Sequence, residues 1–412
     1  MSRKIIINYL LIFIIFTSFI LGLNYSENSS GGASVDFPKI FNNAKIFFSN
    51  NLTSIPWEDY NSSSLPLYYI VLDLFFSELT KEKLIITNLF FTFLSILFLF
   101  LIFQKKIKKI NKSKIFLFSS ILMLSPYVRS STFWGLEEII GVLMLIITFY
   151  CLINYEYNKK IIFLIFVVLF SSLAFYTRQS YLFLVMYTFF QIYDFKNFFS
   201  FKNIFIVVLY LFLLLPSLFF FYEWGGLIPP IAVKMDRGLS LHLYNLPLIF
   251  SILVIYILPF IYLSSKNLNQ FFDLFKKNIF KLIFLNGIFF FILFNFTFQT
   301  VGSGFFVKVI QYLNINFYIS ILILSFVSSF SAILILNYFN KKTLICLSYL
   351  IIIFLSINLI FQEYFDPITF IIISALYNYQ NIELQKIQNF IIISFFYYSF
   401  FLMGANFYYN FL

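Results

Sequence analysis

Charged residues are scarce in this chain. They make up 11% of its 412 residues, whereas hydrophobic residues make up 61%. A soluble domain carries about 25% charged residues, so this composition excludes the soluble class. Continuous apolar runs of about 17–25 residues, the length that crosses a bilayer as a helix, recur along the chain, and their continuity excludes a β-barrel. The sequence therefore predicts an all-α, polytopic integral membrane protein.

Cysteine and histidine are also scarce. The chain has two cysteines, Cys151 and Cys346, and one histidine, His242. Two distant cysteines give neither a disulfide framework nor metal-ligand spacing, and one histidine cannot form a metal triad. The sequence also lacks a P-loop, a glycine-rich dinucleotide turn and a Ser-His-Asp arrangement. We therefore expect no metal and no cofactor.

The apolar runs predict a single transmembrane domain over residues 1–412, with about 11–13 spans. The first run is expected to remain as an anchor, because no small-x-small cleavage site follows it. The predicted spans lie near 5–23, 83–103, 114–128, 136–154, 160–176, 180–194, 203–222, 244–264, 280–298, 317–337, 343–361, 367–379 and 390–410.

The lysines predict the orientation of these spans. They cluster in the segments that lie inside when the N-terminus is cytoplasmic, above all at 104–113 and 265–280. Such clustering is typical of cytoplasmic loops. The net charge of +11 therefore reflects orientation among membrane lipids, and a nucleic-acid partner is not expected. The expected location is a bacterial inner membrane or an endoplasmic reticulum-type membrane.

The segment after the first span is the longest polar linker, and it is predicted to form the first extracytoplasmic loop, over 24–82. Within it, 37–48 is amphipathic with Pro38 at its start, where proline is tolerated. The stretch 65–80 is apolar but short and acidic, and if it spanned the membrane the lysines at 104–113 would fall outside. Both stretches are therefore predicted to be interfacial helices.

Three of the four arginines, Arg129, Arg178 and Arg237, fall at predicted outer ends of spans, against the orientation rule. Arginine presents a planar fork that binds phosphate or carboxylate through two hydrogen bonds, so an anion site is one interpretation. The alternative is chance placement, or pairing at helix ends with Glu137 or Asp236.

Outer carboxylates near such cations suit the transfer of a group from a lipid phosphate. A carboxylate can accept the proton of an attacking hydroxyl, and cations can stabilise the departing phosphate. Asp36 is the preferred base, because it lies where an interfacial helix is predicted to begin. The alternative role for Asp36 is that of an N-cap for the helix at 37–48.

Several short motifs together resemble a family. In chain order they are Asp36, Ser63-Ser64-Leu65-Pro66-Leu67-Tyr68-Tyr69, Arg178-Gln179-Ser180, Met235-Asp236-Arg237 with His242 and Pro247 after it, and Gln362-Glu363-Tyr364-Phe365-Asp366-Pro367. Their order and predicted outer placement are similar to those of the GT-C membrane glycosyltransferases. Among these they look most like the dolichyl-phosphate-glucose α-1,2-glucosyltransferases.

The resemblance implies a GT-C-like fold and transfer of a sugar, glucose in that family, from a polyprenyl-phosphate donor to a lipid-linked glycan or other acceptor. It implies Asp36 as the catalytic base and Arg178, Arg237 and Arg129 as ligands of the donor phosphate. The residues implied to orient the substrates are Gln179, Asp236, His242, Glu363 and Asp366.

The chain departs from that pattern at three points. Phe37 replaces the second acid of the family, Ile368 replaces an arginine after the proline, and the His-rich run after the Asp-Arg pair is reduced to His242. Two other functions stay open: a flippase or transporter of lipid-linked saccharides, and a polymerase or ligase of surface polysaccharide. A transporter is disfavoured, because mid-span positions are nearly free of charge. A polymerase is disfavoured, because the large loop lies early in the chain. A non-catalytic scaffold is a further alternative.

Overall fold

The computed structural model describes residues 3–50, 54–62, 64–108, 110–231, 240–264, 268–294, 296, 302–380 and 382–411. Within these residues the chain is 78% helical and contains no strand, which confirms the predicted all-α class. The chain divides into two compact units, one of 1–238 with 398–412 and one of 239–397.

Over the described residues, the first unit contains eleven α-helices and the end of the last helix of the chain. They are α1 (Arg3–Asn24), α2 (Ala33–Ser49), α3 (Leu67–Phe75), α4 (Lys81–Lys106), α5 (Lys112–Ser120), α6 (Pro126–Trp134), α7 (Glu138–Asn158), α8 (Ile161–Thr177), α9 (Leu182–Ile192), α10 (Phe201–Leu214) and α11 (Ser217–Trp224).

The second unit contains the other α-helices of the described residues and the first part of the last helix. They are α12 (Asn245–Ser264), α13 (Leu268–Lys277), α14 (Ile279–Leu293), α15 (Phe305–Tyr312), α16 (Phe317–Tyr338), α17 (Lys341–Phe354), α18 (Ile368–Leu376) and α19 (Leu384–Phe411). Its core is an apolar cluster from α12, α14, α15 and α16 that includes Leu248, Leu293, Val307 and Leu324.

Among the helices of the described residues, six are long and apolar enough to cross a membrane: α1, α4, α7, α12, α16 and α19. Helices α10 and α11 would together give a seventh span, bent by 41°. These helices confirm a polytopic membrane protein. The expected spans near 180–194, 343–361 and 367–379 form shorter helices of 11, 14 and 9 residues.

The expected span at 114–128 is broken. Helix α5 ends at Ser120, a 3-10 turn covers Ile121–Leu124, and α6 begins at Pro126. Proline disfavours a helical conformation in the residue before it, so Ser125 is extended. The Ser125 side chain accepts a hydrogen bond from the Val128 N–H, and Gly135 ends α6 in the left-handed conformation. The short helix α6 is thereby fixed at both ends.

Two helices lie in the segment between α1 and α4, as the sequence predicted. Helix α2 is one turn longer at its start than expected, and α3 occupies the central part of 65–80. The two helices pack against each other, and α2 also packs on α6. Phe37 of α2 lies 6.1 Å from Trp134 of α6, measured between ring centroids.

Candidate functional site

Asp36 lies in the first turn of α2, with its side chain 46% exposed. One carboxylate oxygen accepts a hydrogen bond from Lys39 Nζ at 2.9 Å, one helical turn further on. The alternative role of Asp36 as an N-cap is wrong, because the N-cap position is Gly32. Asp36 therefore presents a half-exposed carboxylate, paired with Lys39, at the positive end of a helix.

The side chain of Asn28 explains why α2 begins early. Its Oδ1 accepts a hydrogen bond from the Ala33 N–H at 3.1 Å, and its Nδ2 donates to Ser34 Oγ at 2.9 Å. The loop before α2 is also bound to α6, because Ser29 Oγ donates to the Pro126 carbonyl at 2.8 Å. The start of α2 is thus held against the helix that carries Arg129.

Arg129 forms a buried ion pair with Glu27. Glu27 was not among the site residues predicted from the sequence. The Arg129 side chain is 2% exposed and that of Glu27 is 12% exposed. Arg129 Nε lies 2.9 Å from Glu27 Oε1, and Arg129 Nη2 also donates to Glu27 Oε2. A second Nη2 bond reaches the Ser18 carbonyl at 2.8 Å. The predicted donor-phosphate ligand Arg129 is therefore bound to a carboxylate in this structure.

Glu27 has further partners. Its carboxylate accepts a hydrogen bond from Asn406 Nδ2 at 3.0 Å, and its backbone carbonyl accepts one from the Trp134 indole at 3.2 Å. The ion pair forms the floor of an open cleft of about 630 Å³, lined by residues of α1, the loop after it, Arg129 and the end of α19. Asp36 is not among the residues that line this cleft.

A second carboxylate, Glu137, is buried beside α3. Tyr69 donates to Glu137 Oε2 at 2.6 Å, and Ser62 donates to Oε1 at 3.1 Å. Tyr69 in turn accepts from Asn43 Nδ2 of α2 at 3.3 Å. Burial first, and then the charge of Glu137, raise the pKa of Tyr69 well above its usual value. The phenol therefore stays protonated and donates to the carboxylate.

Arg178 and Gln179 lie in the turn between α8 and α9, where Arg178 caps α8. Arg178 is close enough to Tyr181 to interact with it electrostatically. Gln179 Nε2 is buried and has no hydrogen-bond partner among the described residues.

Asn43 lies about 10 Å further along α2 than Asp36, so the hydrogen-bond network of Glu137 and the Asp36 carboxylate are at different points of that helix.

The remaining predicted site residues belong to the second unit or fall outside the described part of the chain. Asp366 is buried. The burial of Lys308 lowers the pKa of its ammonium group, and the negative charge of Glu363 opposes this shift. His242 Nε2 lies 2.5 Å from Ser240 Oγ, and the backbone N–H of His242 donates to the Leu355 carbonyl at 2.9 Å. Asp236 and Arg237 lie outside the described residues, so their roles stay predictions.

Over the described residues, no group of three or more His, Cys, Asp or Glu side chains could hold a metal ion. No protein-family model, curated protein or solved structure matches this chain.

Proposed function

We propose that the protein is a membrane glycosyltransferase that moves a sugar from a polyprenyl-phosphate donor to a hydroxyl of a lipid-linked or other glycan acceptor. The observation that supports it most is the half-exposed carboxylate of Asp36. It lies in a folded segment between the first two long apolar helices. A membrane enzyme that handles lipid-bound substrates needs its reactive group in such a place.

Asp36 acts as the general base of this reaction. It accepts the proton of the acceptor hydroxyl while the hydroxyl oxygen forms a bond to the anomeric carbon. The bond from that carbon to the phosphate oxygen breaks, and the polyprenyl phosphate leaves. The pairing with Lys39 does not prevent this role, because exposed ion pairs contribute only about 0–1 kcal/mol.

Cations support the departing phosphate in this proposal. Lys39 lies 2.9 Å from the proposed base and is itself partly exposed, so it can turn toward an anion. Arg178 and Arg237 remain the proposed phosphate ligands, with Gln179 beside the first of them. Arg129 takes part only if substrate binding releases it from Glu27. Asp236, His242, Glu363 and Asp366 keep the proposed role of orienting sugar or acceptor hydroxyls.

The test is Asp36→Asn in membrane vesicles supplied with a radiolabelled polyprenyl-phosphate sugar and lipid-linked acceptors. We expect a loss of transfer of about 100-fold or more, the usual contribution of a general base, with unchanged membrane insertion. The matched control is Asp73→Asn, since Asp73 is exposed on α3, and it should transfer normally. Full activity of Asp36→Asn would end the proposal.

Assays in the same vesicles distinguish the proposed glycosyltransferase from a transporter and from a polymerase. Passage of intact labelled lipid across the membrane with no covalent product would favour a flippase or transporter. A ladder of products that carry many repeat units would favour a polymerase, because the proposed enzyme adds one sugar for each donor consumed.

A further inference from the structure

The cleft above the Glu27–Arg129 pair combines two kinds of lining. Apolar side chains from α1 and α19, among them Leu21, Leu402 and Met403, line it together with the polar groups of Ser18, Ser26 and Asn406. Leu21 and Met403 are 49% and 68% exposed, so the apolar side of the cleft is open. Because α1 and α19 are both candidate spans, this opening is available to a lipid chain.

The floor of the cleft is polar but carries no net charge. A carboxylate offers about four acceptor sites. Three N–H groups donate to Glu27: Arg129 Nε, which is shared between both carboxylate oxygens, Arg129 Nη2 and Asn406 Nδ2. About one acceptor site is therefore left for a ligand. The guanidinium cancels the carboxylate charge at close range. Such a floor accepts hydrogen bonds from neutral hydroxyl groups, while a phosphate would be repelled by Glu27 and would have to separate the pair.

A buried ion pair stabilises a protein interior less well than packed apolar side chains do. Each buried ion carries a desolvation penalty of several kcal/mol, and well-packed apolar side chains often stabilise such a position better. An ion pair that lies at the base of an open cleft, with the carboxylate 12% exposed, is therefore better suited to binding than to packing. Tyr25, which is 81% exposed, adds an aromatic face to the cleft lining.

We propose that this cleft binds an amphiphile with an uncharged, hydroxyl-rich head. One head hydroxyl donates to the acceptor site left on Glu27, other hydroxyls contact Asn406, and the tail lies along the exposed Leu21 and Met403. A glycolipid and a glycerolipid share this chemistry. The site is separate from Asp36, so binding can be measured without sugar transfer.

The first test places the protein in phosphatidylcholine nanodiscs and measures binding of octyl glucoside below its micellar concentration. Met403→Trp fills the exposed side of the cleft without touching the ion pair, so it should weaken binding by about tenfold or more. The matched control is Phe212→Trp, because Phe212 is 72% exposed on α10 and does not line the cleft. Binding by Met403→Trp as tight as that of the unsubstituted protein would overturn the proposal.

The second test compares heads and removes the carboxylate. Octyl glucoside or octyl glycerol should bind more tightly than octyl phosphate, and the tighter of the first two identifies the sugar or the glycerol head as the natural source. Glu27→Gln should weaken both, while Glu223→Gln, an exposed acid on α11, should weaken neither. Preferential binding of octyl phosphate would overturn the assignment of an uncharged head.

Discussion

The Glu27–Arg129 pair illustrates how a buried charge is held by its immediate neighbours. Arg129 also donates to the Ser18 carbonyl, and its guanidinium lies 5.6 and 5.4 Å from the ring centroids of Phe19 and Phe133. Removing one partner of such a pair costs about 3–5 kcal/mol, because the other charge is left uncompensated. The packing that keeps the two charges in contact therefore affects the free energy of unfolding as much as the charges themselves do.

Gly22 provides part of this space. A Cβ at this position would meet Glu27 Oε2 and Arg129 Nη2 and would lie 2.8 Å from a ring carbon of Phe133. We expect Gly22→Ala to displace the pair and to lower the free energy of unfolding by about 1–3 kcal/mol, as overpacking does. Thermal unfolding in detergent measures the change.

Gly404→Ala is the control for this substitution. Gly404 lies on α19 with no atom within 4 Å of the added Cβ, so alanine meets nothing there. In a helix interior, alanine is preferred over glycine, and the control should be neutral or slightly stabilising. An equal loss of stability in both variants would show that the space beside the ion pair is not the cause.

At the scale of the element, α2 and α3 behave as a structured insertion between two long helices. Asn43 of α2, Tyr69 of α3 and Glu137 before α7 form one hydrogen-bonded chain. Phe47 stacks on Tyr69 with 5.5 Å between ring centroids, and Trp57 packs on both Phe47 and Tyr60. The segment that carries Asp36 is thus fixed by one buried carboxylate and an aromatic cluster.

Tyr69→Phe tests the contribution of the hydrogen bond. The ring and its packing stay, while Glu137 loses a donor at 2.6 Å and Asn43 loses an acceptor. Leaving buried polar groups unsatisfied costs about 1–3 kcal/mol, so amide hydrogens of α2 should exchange faster by about ten-fold or more. Hydrogen exchange detected by mass spectrometry measures this effect.

The comparison variant is Tyr222→Phe, because Tyr222 is 84% exposed on α11. It should leave exchange in α2 unchanged. If Tyr69→Phe also left α2 exchange unchanged, the carboxylate would not hold α2 in place, and the aromatic cluster alone would account for the fold of the segment.

The elements differ in how far the sequence predicted them. Long apolar runs gave α1, α4, α7, α12 and α16 directly, because about 20 such residues have one stable form in a bilayer. The amphipathic pattern of 37–48 predicted α2, and the short, acidic apolar stretch 65–80 predicted α3. The start of α2 at Ala33 was missed, because it depends on the side chain of Asn28 in the preceding loop.

The candidate site was harder to predict than the fold. Asp36 and the arginines were chosen by residue type and predicted side of the membrane. The partner of Arg129 lies 102 residues away, and sequence spacing alone contains no signal for that contact. One clue was present: Glu27 lies shortly after the first apolar run, and Arg129 directly follows the broken span at 114–128. Two opposite charges at the ends of spans that pack together can pair.

At the scale of the whole molecule, α4 sets which parts of the first unit lie on opposite sides of the membrane. It has 26 residues and is therefore about 39 Å long, more than the ~30 Å of a bilayer's hydrocarbon core. Asp59 lies in the segment before it and Lys108 just after it, and both side chains are exposed. The two residues should face different compartments.

The side of the membrane that each of these residues faces tests the orientation that the lysines predict, with the N-terminus in the cytoplasm. We expect Asp59→Cys to react with a membrane-impermeant maleimide in intact cells, and Lys108→Cys to react only after permeabilisation, because basic loops stay in the cytoplasm. The native Cys151 and Cys346 are buried, so the protein without an added cysteine gives the background. The reverse labelling would place α2, α3 and Asp36 on the cytoplasmic side, where the proposed transfer on the outer face could not use them.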